Sequence, residues 1–294
     1  MTGGMSNRDE ASKTEVDVFV YTEGATCSTI PALSEPLRGH SLIHIGDSLV
    51  ICGGQKTSGK TDACLKLDTA NNNWASHSSL TTTHRLWSSV VTFNDNPCIV
   101  GAFDASDGSE KTIECYSGGN WGKLTNSNDQ IPGLGSGLGC ACSTDNNELI
   151  IVGGYHAKKQ VIFRNNSGTW ETWTDLLNDR YGHACTILQQ NKVLVAGGNV
   201  DGIYSSTALL IDLTTKGSSA TSSMSSPRYL LALATVNDQV IAFGGRTSVT
   251  TATDTSEAFD ATTNQWIWTS SGKKLSVGRG GMGYTVLSKC PSEL

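Results

Sequence analysis

Five arginines recur at the head of apolar segments: Arg38, Arg85, Arg180, Arg228 and Arg279. A guanidinium stays charged and offers a planar fork of donors. A set of them around one opening would attract carboxylates or other anions. Aromatic residues follow several of the arginines, namely Trp87, Tyr181 and Tyr229. Segments just past a recurrent double glycine add Tyr155, His156, Asn199 and Arg246. Cations beside aromatic faces suit the binding of a protein segment or an anionic ligand. The competing account is that each arginine pairs with backbone or with a carboxylate in a neighbouring unit.

Other chemistry-bearing patterns are weaker. Residues Gly54-Gln55-Lys56-Thr57-Ser58-Gly59-Lys60-Thr61 fit the phosphate-loop spacing. A real phosphate loop opens a helix, whose N-terminus helps hold the anion. Here the following residues, to Asp68, read as a strand, so no nucleotide site is expected. The histidines are His40, His44, His77, His84, His156 and His183, and no HExxH occurs. His40 and His183 hold equivalent positions, and repeat-equivalent packing accounts for them without a metal. The acidic run from Asp104 to Glu110 lacks calcium-loop spacing. No GxSxG supports a nucleophile elbow. No catalytic residue, metal or cofactor is therefore assigned.

The elements that carry these residues repeat. A β-rich apolar run ending in two glycines recurs as SLVICGG, ELIIVGG, KVLVAGG and QVIAFGG, with PCIVGA a degenerate copy. The first glycines fall at 53, 101, 153, 197 and 244, a period of 44 to 52 residues. After each comes an apolar landmark, and in three copies a Trp seven residues later: Leu67 and Trp74, Phe163 and Trp170, Phe259 and Trp266. Tyr116 leads Trp121 across a shorter turn, and Ser218 stands where the fourth copy's Trp would be. Turn residues such as Asn71-Asn72-Asn73 separate the runs. Four short strands at this period make a propeller blade. One blade cannot bury both faces of its sheet, so each must lean on two neighbours. No sustained helical period appears.

The double glycine, the apolar landmark, the spaced Trp and the next arginine together resemble the kelch-repeat β-propellers. No Trp-Asp dipeptide closes a repeat, which disfavours the WD40 alternative. The resemblance implies an all-β, six-bladed propeller of four-stranded blades. It places the arginines at one mouth of a central channel. Blades are expected near 38–80, 85–126, 136–177, 180–224 and 228–275, within one domain spanning 1–294. The sixth blade is expected from 278–294 plus 1–33, because Val20, Cys27 and Arg38 keep the spacings of Leu67, Trp74 and Arg85. Some kelch propellers are copper oxidases with tyrosine and histidine ligands, and no matching set is found here. The expected function is a non-catalytic binding scaffold. A carbohydrate-active enzyme or lectin is the alternative.

Composition limits the partners. The chain has 294 residues, a net charge of −6 and 37% hydrophobic residues. No basic cluster suggests nucleic acid, and no apolar run is long enough to span a membrane. A monomer is expected. The nine cysteines show no zinc-type spacing. They are expected mostly as reduced core residues, with some disulfides the alternative and no pairing fixed. The first 13 residues lack an apolar leader segment, which favours the cytoplasm. Low charge and the sequon Asn165-Asn166-Ser167 favour the outside of a cell, and extracellular placement is the expectation.

Overall fold

A computed structural model describes residues 30–81, 86–102, 110–124, 130–132, 137–156, 158–173, 175–188, 191–268 and 274–287. Every regular element among them is a strand. Five four-stranded antiparallel sheets follow in chain order. The first holds Ser41–Ile45, Ser48–Cys52, Cys64–Asp68 and Asn73–His77. The second holds Ser89–Phe93, Asn96–Ala102, Glu110–Ser117 and Asn120–Lys123. The third holds Cys140–Ser143, Leu149–Gly154, Lys158–Arg164 and Trp170–Thr172. The fourth holds Ala184–Leu188, Lys192–Ala196, Ala208–Asp212 and Ser218–Ala220. The fifth holds Ala232–Val236, Gln239–Phe243, Ser256–Asp260 and Gln265–Trp268.

Local sequence explains the sheets. Second strands such as Lys192–Ala196 are buried at every residue after the first, so they read as continuous apolar runs rather than alternating ones. Asn94-Asp95 and Asn237-Asp238 join first to second strands with both residues at positive φ, the pair that a tight hairpin demands. An aspartate ends the third strand three times over. Asp68, Asp212 and Asp260 each accept two backbone N–H groups of the following turn. Those bonds, and side-chain donors at Asp68 and Asp260, hold all three carboxyls below their ordinary pKa.

The core lies in layers between sheets. Ile43 and Val50 of the first sheet meet Ile99 and Trp121 of the second. Equivalent layers join the second to third, third to fourth and fourth to fifth sheets. The segment 274–287 fills the remaining gap. Met282 and Leu275 pack on Ile241 and Phe243 of the fifth sheet, while Leu287 packs on the side of the first sheet that carries Leu42 and Ile51.

The double glycine has two separate reasons. A Cβ on the first glycine would strike the carbonyl of the next unit's arginine: Gly153 and Arg180 at 2.6 Å, Gly197 and Arg228 at 2.3 Å, Gly244 and Arg279 at 2.6 Å. A Cβ on the second would strike the entry segment of its own sheet, as Gly198 would meet Tyr181 O at 2.8 Å and His183 Cβ at 2.9 Å.

One expectation needs correction. Six of the seven described cysteines are in disulfides rather than reduced. Cys52–Cys64 and Cys98–Cys115 join directly opposed residues within a sheet, and Cys140–Cys185 ties the third sheet to the fourth. Cys142 alone among the described residues is free, and burial pushes its thiol up to about 12. The phosphate-loop match runs as a hairpin, Gln55–Lys56 against Gly59–Lys60, with no helix after it. Its Lys56 pairs with Glu35 at 2.5 Å. The acidic run 104–109 and the strands expected from 1–29 and 288–294 lie outside the described residues.

Candidate functional site

Six segments surround one cavity of 500 Å³, five of them contributing the start of a first strand and the sixth being residues 281–286. Two residues before each first strand, the backbone turns through positive φ: Gly39, Trp87, Leu138, Gly182 and Leu230, with Gly281 in the same place in the 274–287 segment. These residues bond to one another around the cavity. Gly39 N donates to Gly281 O, Trp87 N to Gly39 O, Gly182 N to Leu138 O, Leu230 N to Gly182 O and Gly281 N to Leu230 O. This belt forms one rim of the cavity.

Glycine and bulky residues share the belt for a steric reason. A Cβ at Gly182 would lie 2.1 Å from the Tyr229 ring, and one at Gly281 would lie 2.9 Å from Trp87 Nε1. The glycines thus make room for rings. The rings, with Leu138 and Leu230, form an apolar cluster of Trp87, Tyr181 and Tyr229 over the rim. Holding Trp87, Leu138 and Leu230 at positive φ costs conformational energy, and the packed cluster opposes that cost.

Among the described residues the arginines do not form a guanidinium rim. Arg180, Arg228 and Arg279 are at most 2% exposed. Arg180 Nη1 donates to Gly197 O and Thr207 O, and its Nη2 to Thr207 Oγ1. Arg228 repeats these contacts with Gly244 O, Thr255 O and Thr255 Oγ1, then adds Glu257 Oε1 at 2.9 Å. Burial lowers the pKa of both, Arg180 to about 10. Arg279 donates to Val277 O and Ser276 Oγ. The reason is geometric: Arg180 and Arg228 precede the belt, so their side chains turn back into their own sheets and cap strand-end carbonyls. Arg38 differs in register. It opposes Gln55 as Tyr229 opposes Arg246 and Tyr181 opposes Asn199, and its guanidinium reaches Gln55 Oε1 at 2.9 Å. Leu37, buried, holds the arginine position in the first unit. Arg85 lies outside the described residues.

The aromatic candidates do come together. His156 meets Tyr155 at 5.0 Å between ring centroids, Tyr155 meets Tyr181 at 5.2 Å, and Tyr181 meets Tyr229 at 5.9 Å. Tyr204, absent from the sequence-based set, stacks on Tyr229 at 4.7 Å. It sits on the Ile203–Tyr204 arm of a small sheet that includes Arg180–Tyr181 and Asn199–Val200. The hairpin recurs after the first unit's glycine pair as Gln55–Lys56 with Gly59–Lys60, where Lys60 stands in place of Tyr204, so no repeated residue type marks the ring. Arg246 is buried beside Tyr229, with Nη2 donating to Val249 O. Exposed Tyr155, Leu177, Ile203 and Val249 lie on the loops of this mouth, over the third to fifth sheets.

Within the cavity, His183 Nε2 lies 3.1 Å from Val152 O, and burial lowers that imidazole to about 3. It is a neutral packing residue. His40 lines the same cavity, as repeat equivalence predicts. Among the described residues no three His, Cys, Asp or Glu side chains converge as a metal site. None of their helices is long and apolar enough to cross a membrane.

Comparisons with known proteins agree with this architecture. The kelch motif model matches residues 227–267, the fifth sheet with its entry segment. No protein of curated function matches the sequence. The solved structure of YjhT is similar over 84% of this chain and 88% of that one, with a TM-score of 0.71 and 14% identity. At that identity the likeness is one of fold alone.

Proposed function

We propose that this kelch-repeat β-propeller is a binding scaffold whose channel mouth recognises a protein segment. The observation that carries the reading is the row of rings from His156 through Tyr155, Tyr181 and Tyr229 to Tyr204, flanked by exposed Leu177, Ile203 and Val249. Tyrosine gives large contact area at low rotamer cost and dominates protein recognition surfaces. The belt and the sheets beneath hold the rings rigidly, which lowers the ordering cost on binding. We also propose one six-bladed domain whose last blade is shared by both termini. The six segments around the cavity and the bond from Gly39 N to Gly281 O support it.

A random peptide library panned against the purified protein tests the function. Enriched peptides should lose about tenfold or more in affinity on Tyr155→Ser and Ile203→Ser, in line with anchor residues at interfaces. Absence of enrichment, or binding indifferent to both substitutions, would reject the mouth as a protein site. A glycan array that gives mouth-dependent hits where peptides give none would replace the peptide with a saccharide.

A further inference from the structure

We infer that Tyr181, Tyr204, Tyr229 and Arg246 form an anion subsite that seats a carboxylate of the bound segment, an assignment that rests on the mouth-binding reading above. Tyr229 and Arg246 oppose each other across an antiparallel bridge, with Tyr229 N to Arg246 O at 2.9 Å and Arg246 N to Tyr229 O at 2.7 Å. Directly opposed residues send their side chains off the same side of the backbone. The Arg246 stem lies over Gly280, whose absent Cβ would come within 3.2 Å of Arg246 Cγ. Tyr204 stacks on Tyr229, and Tyr181 meets it edge-on.

The cluster holds one buried, unused donor. Arg246 is 8% exposed, and its Nε is buried without a partner. The half-buried rings of Tyr181, Tyr204 and Tyr229 stand beside it, and their hydroxyls are not among the polar atoms shut off from solvent. Burial, and then the neighbouring phenols, raise the pKa of Tyr181 and Tyr229. Both hydroxyls are therefore protonated at neutral pH. The charged or ionisable groups acting on these two rings are other tyrosines and Arg246, with no carboxylate among them. A buried guanidinium N–H without an acceptor, with phenol hydroxyls beside it that can turn toward a ligand, favours an incoming oxyanion. One guanidinium offsets one negative charge, so a carboxylate fits better than a phosphate dianion, whose second charge would stay uncompensated.

Hippurate, an acylated glycine with a free carboxylate, is a suitable probe, with its amide hippuramide as control. In an NMR titration hippurate should shift the ring signals of Tyr181, Tyr204 and Tyr229, and hippuramide should bind about tenfold or more weakly, as expected for loss of a charge-assisted contact. Arg246→Gln should weaken hippurate by a similar factor. Tyr204→Phe, which keeps the ring and removes one donor, should weaken it less and guards against misfolding of the arginine variant. Equal binding of hippuramide, or hippurate binding unaffected by both substitutions, would overturn the subsite while leaving a mouth that binds by apolar contact. Tighter binding of inorganic phosphate than of hippurate would overturn the carboxylate assignment. Failure of hippurate while library peptides bind would also overturn the subsite, and failure of both would remove the mouth reading with it.

Discussion

Arg228 and Glu257 are 0% and 1% exposed, and they pair at 2.9 Å. Desolvating two charges costs several kcal/mol, and the pair holds only because each side is also hydrogen-bonded. Glu257 Oε2 accepts from Ser225 N, and Arg228 caps Gly244 O and Thr255 O. The first sheet shows another solution. Leu37 stands at the arginine position, and Leu65, opposite Ile51, stands where Glu257 stands opposite Ala242. Glu257→Leu alone should therefore cost about 3–5 kcal/mol, since it leaves a buried guanidinium unpaired. Arg228→Leu with Glu257→Leu should recover more than half of that loss. Urea melts of the two singles and the double check this. A double variant no better than Glu257→Leu would mean that the carbonyl caps, not the pair, hold the site. The arginines were legible in the sequence, but their direction was not. A one-residue register difference at Arg38 and the inward turn before the belt are features of backbone path, which residue type does not encode.

At the scale of the element, the glycine pair shows how sequence sets blade spacing. Gly46 and Gly197 both have positive φ, 57° and 67°. A Cβ at Gly46 meets nothing within 4 Å, whereas one at Gly197 would lie 2.3 Å from Arg228 O. Gly46→Ala measures the conformational cost alone, about 1 kcal/mol. Gly197→Ala adds a steric clash between sheets and should cost about 2–4 kcal/mol. Denaturant midpoints of the two variants give the comparison. Equal losses would show that the sheets separate freely at this junction. The strands were legible for the same reason. Apolar runs ending in Gly-Gly, with Trp74, Trp121, Trp170 and Trp266 in the layers between sheets, are the sequence image of repeated packing. The Tyr204 ring was not legible, because the equivalent hairpin position in the first unit holds Lys60 and the ring is placed by a distant partner, Tyr229.

At the scale of the molecule, stability is shared between packed layers and covalent ties. Each layer rests on two sheets, so loss of one contact weakens its neighbours. Cys140–Cys185 closes 45 residues across two sheets, while the two pairs within sheets close 12 and 17. Loop-closure entropy assigns about 4 kcal/mol to the first and about 3 kcal/mol to each of the others. Together that is about 10 kcal/mol, comparable with the whole net stability of a typical domain, about 5–15 kcal/mol. A chain held this way suits an oxidising compartment. Cys140→Ser with Cys185→Ser should lower stability more than Cys52→Ser with Cys64→Ser, and full reduction under mild denaturant should unfold the protein. Thermal melts with and without reductant, read against both double variants, decide it. A reduced protein that melts within a few degrees of the oxidised one would show that packing between sheets suffices, and the argument from disulfides to compartment would fall.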